Sequence, residues 1–175
     1  RAGNKFIQLS KYPFELQLNT SLTQSRTAGI QLEASCLNLD GQDLTKTVQL
    51  KVLQRQSPKQ NYIDRYWRFP DTLSLSERDF RRSLPDFAYA RTELEQYWPD
   101  GEVVWEQTVE VSGTDTVDIS TTDWPVGHYK VIMQVVTTYG DTLSKETKFS
   151  LHDWPNGEFA VGQWVYWQAQ QQVLQ

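Results

Sequence analysis

Cysteine is almost missing from this sequence: Cys36 is the single one in 175 residues, which excludes an internal disulfide framework. A chain this long can build a core without disulfides in any compartment, so the scarcity does not place it in the cell. Histidine is nearly as rare. His128 and His152 share no metal-ligand spacing with each other or with Cys36, and no metal site is predicted. Each lies at a predicted strand end beside a turn, where an exposed imidazole is expected. Basic residues are outnumbered, 17 Lys and Arg against 22 Asp and Glu for a net charge of −5. No basic face can therefore form for nucleic acid. Long apolar runs are absent too. Tyr129 to Thr138 falls short of the ~18–20 residues that span a bilayer and is broken by Gln134, so this segment is not expected to insert in a membrane. Nucleophile elbows, phosphate-cradling glycine loops and dinucleotide fingerprints do not occur, and no cofactor is implied. The chain starts at Arg1, without Met or a targeting segment, as expected of a processed or excised fragment.

What is present is a period of two. Phe14, Leu16 and Leu18 alternate with polar residues, as do Ile30, Leu32, Ala34 and Cys36, and Val48, Leu50 and Val52. Such alternation gives each strand one apolar face and one wet face, the mark of an antiparallel sandwich. It predicts burial of Leu32, Cys36, Leu50, Val131, Met133 and Phe149, with Cys36 an inert thiol. Asn38-Leu39-Asp40-Gly41-Gln42 predicts a hairpin-like reversal, because Asp-Gly supplies a positive-φ turn. A second hairpin is expected where Tyr129, Val131, Met133 and Val135 run against Leu143 to Leu151 across Tyr139-Gly140-Asp141.

Three tetrads share one form: Trp98-Pro99-Asp100-Gly101, Trp124-Pro125-Val126-Gly127 and Trp154-Pro155-Asn156-Gly157. Proline second and glycine fourth suit a type I turn, so each is expected to reverse the chain just before a strand while its tryptophan packs on the sandwich edge. The pattern breaks between residues 58 and 98. Ser76-Glu77-Arg78-Asp79 reads as a capped helix start that Pro85 stops, followed by a weaker helical stretch from Ala88 to Tyr97. This insertion carries Tyr62, Tyr66, Trp67, Phe69, Phe87, Tyr89, Tyr97 and Trp98. So many rings predict packing onto the sandwich or onto a neighbouring domain. Glu93 and Glu95 are the carboxylates nearest to an acid–base pair, but glycosidase carboxylates come from residues distant in sequence, and no catalytic residue is assigned. At the C-terminus Trp164, Tyr166 and Trp167 form the candidate partner interface: alternation puts apolar side chains on both faces of a lone strand, and one face then needs another partner.

Three stretches together resemble a known family. Phe14 to Val52, with its Asn38-Leu39-Asp40-Gly41-Gln42 turn, is similar to the opening of macroglobulin-like domains. Asp123-Trp124-Pro125-Val126-Gly127-His128-Tyr129 with Thr138-Tyr139-Gly140-Asp141 resembles their closing hairpin. Leu75-Ser76-Glu77-Arg78-Asp79-Phe80 with Leu84-Pro85-Asp86-Phe87-Ala88-Tyr89 looks like the helical insertion of alpha-2-macroglobulin homologues from Bacteroides-type bacteria. The resemblance implies an immunoglobulin-like sandwich of about seven strands over 1–155, the insertion at 58–98, and a C-terminal strand or linker over 156–175 leading to a following domain. It also implies a non-catalytic structural and contact module of a protease-trapping protein, in the periplasm or on the cell surface. Its partners would be neighbouring domains of the same chain and, through the whole parent, target proteases. The family's thioester arises in Gly-Cys-Gly-Glu-Gln, which Cys36-Leu37-Asn38-Leu39 does not match. The alternative is a carbohydrate-binding or adhesion sandwich of a secreted protein that uses aligned aromatic rings.

Overall fold

A computed structural model describes residues 12–70, 75–137 and 140–160. The described residues form eight strands: β1 (Phe14–Asn19), β2 (Thr23–Ser25), β3 (Ile30–Asn38), β4 (Thr45–Arg55), β5 (Asp100–Ser112), β6 (Thr114–Ile119), β7 (Gly127–Val136) and β8 (Thr142–His152). One helix, α1 (Glu77–Ser83), lies in the insertion. The sheets run β1-β3-β6 and β2-β8-β7-β4-β5, every pair antiparallel except β2 with β8. The fold is the all-β sandwich that the alternation predicts.

Register follows the apolar pattern. Leu16 pairs with Cys36 and Leu18 with Ala34, while Val52 pairs with Val131 and Leu50 with Met133, so each inward row faces an inward row. Leu32, Cys36, Leu50, Val131, Met133 and Phe149 are all buried, as expected, in one cluster shared by the two sheets. Fully burying such a side chain contributes ~1.5–3 kcal/mol. A one-residue slip would expose the whole row, which is why the register is strongly specified. Burial pushes the Cys36 thiol up, with the Lys46 ammonium acting in the opposite direction. Native Cys36 is therefore expected to resist a thiol-specific disulfide reagent at pH 8 and to react fully once urea unfolds the chain; fast native labelling would contradict this packing.

Several connections depart from the sequence reading. The Asn38–Gln42 reversal forms, with Gly41 at φ +77° and its amide donating to Asn38 O, but β3 and β4 lie in opposite sheets. The turn is a bridge between layers, and only Leu37 and Asp43 pair across it. The polar stretch after β1 contains β2, an eighth strand that crosses to the larger sheet and lies parallel to β8. A crossing also joins β5 to β6 at Gly113, φ +72°, where a Cβ would stand 2.9 Å from the Asp43 carboxylate. Of the three tetrads only the third closes a turn on itself, its Gly157 amide donating to Trp154 O at 3.2 Å. The first two lead into β5 and β7 without a turn hydrogen bond of their own, and for the second the hydrogen-bonded reversal comes earlier, with Trp124 N donating to Thr121 O. Their tryptophans still pack as expected, Trp98 buried and Trp124 5.3 Å from the Tyr129 ring.

Candidate functional site

The insertion starts where β4 ends and is folded around three arginines. α1 begins at Ser76, whose hydroxyl accepts from Asp79 N, and Leu84 ends it just before Pro85. Its inward ring, Phe80, is buried. The weaker stretch beyond it is not a helix but two 3-10 turns, Arg91–Glu93 and Glu95–Tyr97, because it lacks the apolar row a longer helix would bury. Arg65 donates to Ala88 O at 2.7 Å and Tyr89 O at 2.6 Å, and its guanidinium lies 4.4 Å from the centres of both Phe69 and Phe80. Arg81 donates to Phe87 O, pairs with Glu77 and Glu93, and covers the Tyr62 ring at 4.1 Å. The Glu93 carboxylate also accepts from the amides of Tyr89 and Ala90. Glu93 is thus held by two backbone amides and an arginine.

Arg55, at the end of β4 and 5% exposed, fastens this unit to the sheet. It donates to Glu95 O and Trp98 O and sits 5.5 Å from the Trp98 ring. Trp98 in turn donates its indole N–H to Glu93 O and lies against His128 at 4.7 Å. Both histidines were expected at the surface, and both are buried, His128 at 8% and His152 at 0% exposure. Alternation does turn them, with Ser150, to the outer face of the larger sheet. Two folded-back segments then cover them, the insertion through Trp98 and the chain after β8 through Trp154, whose ring lies 4.9 Å from His152. Distant packing of this kind leaves no trace in local periodicity.

The aromatic residues of the insertion divide into two sets. Tyr62, Phe69, Phe80, Phe87 and Tyr89 pack within it, against Arg65, Arg81 and one another, and not onto the sandwich as the ring count predicts, whereas Trp98 does reach the sheet at His128. Tyr66 remains 87% exposed and Trp67 44%, beside the exposed Ile63 and Leu75. Tyr66 meets the Phe87 ring edge-on at 70° and Trp67 meets it at 46°, so the three rings are fixed but not coplanar. These three rings do not make a flat sugar-stacking platform. The signal for this surface was in the sequence: six of the nine arginines, at 65, 68, 78, 81, 82 and 91, interleave with the rings of residues 58–98. Tryptophan, tyrosine and arginine are the residues enriched at the anchoring points of protein interfaces.

Trp164, Tyr166 and Trp167, the interface expected from the sequence, lie outside the described residues. Of the strand expected from Phe159 onward, Phe159 and Ala160 are described and are not in a strand. Among the described residues no group of three His, Cys, Asp or Glu could hold a metal ion, and no helix is long and apolar enough to cross a membrane. No protein-family model matches the chain, and no curated protein matches it. Among solved structures it is similar to a β-glucosidase from Listeria innocua in complex with gluconolactone, at 11% identity and a TM-score of 0.36. That match covers 85% of this chain and 16% of the other, so the chain spans about a sixth of the enzyme's length. Likeness at that level carries no argument about fold or activity.

Proposed function

We propose that this chain is a non-catalytic contact module, a macroglobulin-like domain of an extracytoplasmic alpha-2-macroglobulin-type protein that traps proteases. The observation that carries the contact role is the exposed apolar and aromatic surface of Ile63, Tyr66, Trp67 and Leu75, with the Arg65 guanidinium 5.8 Å from the Trp67 ring. Rigid aromatic groups lose little conformational entropy when a partner covers them, and a cluster of exposed large apolar side chains marks an interaction surface. The non-catalytic reading is supported by how the reactive groups are engaged: Cys36 is in the core, Glu93 is held by Arg81, and both imidazoles lie under tryptophans. The macroglobulin assignment rests on the sequence resemblance, and the periplasmic or surface location follows from it.

The test compares Tyr66→Ser with Trp67→Ser in this domain alone and in a longer chain that includes its neighbours. Exposed rings contribute little to an isolated fold, so the unfolding free energy of the single domain is expected to change by less than ~0.5 kcal/mol. In the longer chain each substitution is expected to weaken coupling to a neighbouring domain by about 1–2 kcal/mol. Unchanged coupling for both variants would remove the contact role from this surface. Loss of glycan binding in the same variants would instead favour the carbohydrate-binding reading.

A further inference from the structure

We propose that His152 is an acid-sensitive latch: uptake of one proton by its imidazole releases the segment 153–160 from the outer face of the larger sheet. This device is independent of the contact role proposed above.

The geometry begins with one buried hydrogen bond. Ala160 N donates to His152 Nδ1 at 3.0 Å, and both residues are buried. Nδ1 accepts, so the neutral ring carries its proton on Nε2, which is buried and has no hydrogen-bond partner. Adding a proton turns Nδ1 into a donor facing another donor. The cation would then hold two N–H groups without an acceptor in a site closed to water, an arrangement that low-dielectric surroundings disfavour strongly. Protonation therefore requires the Ala160 contact to open. Burial lowers the imidazole's proton affinity in the closed state, and the nearby His128 lowers it further.

The charged and titratable groups nearest this ring in the fold are His128, Asp153, Arg26 and Glu158. His128 on β7 is bonded through Nδ1 to the Ser150 hydroxyl. Asp153 is 1% exposed; its Oδ2 already accepts from the Asn156 amide and lies 3.4 Å from Arg26, while its Oδ1 is buried with no hydrogen-bond partner and no bond to the imidazole. Glu158 is the second partner of Arg26, at 3.8 Å, and its side chain is 59% exposed. Arg26 itself, just beyond β2, donates its amide to His152 O.

What the latch holds is a small hairpin. Asp153 and Glu158 exchange backbone hydrogen bonds around the Trp154–Gly157 turn, and the Trp154 and Phe159 rings lie over the imidazole at 4.9 and 5.9 Å. Opening it uncovers these rings and frees the backbone at residue 160.

The sign follows from linkage. His152 has a lowered pKa when closed and an ordinary one, near 6.5, when open, so the closed form is favoured above about pH 6.5 and loses ground as pH falls. The open fraction should rise toward tenfold per pH unit below that point, or roughly thirtyfold between pH 7.5 and 5.

The test is amide hydrogen exchange at Ala160 in the whole chain, corrected for intrinsic rates, alongside NMR titration of both imidazoles. The wild type is expected to lose protection by that factor. His152→Asn, which offers a non-titrating carbonyl near the place of Nδ1, should show flat protection, whereas His128→Asn should keep most of the acid response. Protection that does not change with pH in the wild type, or an equal acid loss in His152→Asn, would overturn the latch. So would a His152 ring that becomes protonated by pH 5 while Ala160 stays protected, and this wild-type measurement decides the matter even if the variants fold poorly.

Discussion

Replacement of Tyr129 by alanine is expected to destabilise the domain by about 3–5 kcal/mol, the range for deleting a large buried aromatic side chain. The ring is 0% exposed, stacks on Phe149 at 5.3 Å and 13°, and meets the Trp124 ring at the same distance and 34°. No neighbour is free to collapse into the space, because Phe149 is fixed in the β7–β8 ladder directly opposite. The hydroxyl donates to Pro125 O, which fixes the run-in to β7, and burial pushes its pKa up to about 12. Tyr129→Phe keeps the ring and removes that bond, for an expected loss of about 1–2 kcal/mol. Urea unfolding followed by far-UV circular dichroism measures both. A domain has ~5–15 kcal/mol in all, so the alanine variant should be close to unfolding at 37 °C. A loss under ~1 kcal/mol for Tyr129→Ala would mean that the aromatic stack is not part of the core.

The second large effect is expected at Arg55. Arg55→Met preserves much of the side-chain volume but strips Glu95 O and Trp98 O of a charged donor, and hydrogen bonds to charged groups contribute ~1.5–3 kcal/mol. The buried Nε has no partner, which offsets part of the gain, so the expected net loss is about 2 kcal/mol. The loss should appear first as local opening. Limited proteolysis is expected to cut between residues 58 and 98 well before the sheets unfold, and Trp98 should lose its packing against His128. Simultaneous loss of insertion and sandwich would show instead that the insertion is part of one cooperative core.

Much of this architecture was legible because a strand in a two-layer sandwich writes its burial directly into its sequence. Phe14-Glu15-Leu16-Gln17-Leu18 shows alternating buried and exposed residues in the fold as it shows alternating apolar and polar ones in the chain. The Ser76 cap was equally plain, since its partner, Asp79 N, is three residues away. The destination of a strand is another matter. Asn38–Gln42 reads as a hairpin turn because Gly41 takes the positive φ such a turn needs, yet β4 turns away to the other sheet and pairs with β5 and β7. Nothing within five residues encodes that choice, because the energy separating the two pairings comes from residues dozens of positions away.

The functional surface divides in the same way. The sequence by itself determined the strand faces, the buried Cys36, the capped helix and the concentration of aromatic and arginine residues in one insertion, because each rests on spacing, capping or composition. Only the tertiary structure decided that Tyr66 and Trp67 stay exposed while Phe69 and Phe80 enclose Arg65, and that His128 and His152 lie buried under Trp98 and Trp154. Those outcomes depend on which distant segment folds back over which face of the sheet, and a side chain's own neighbours in sequence do not carry that information.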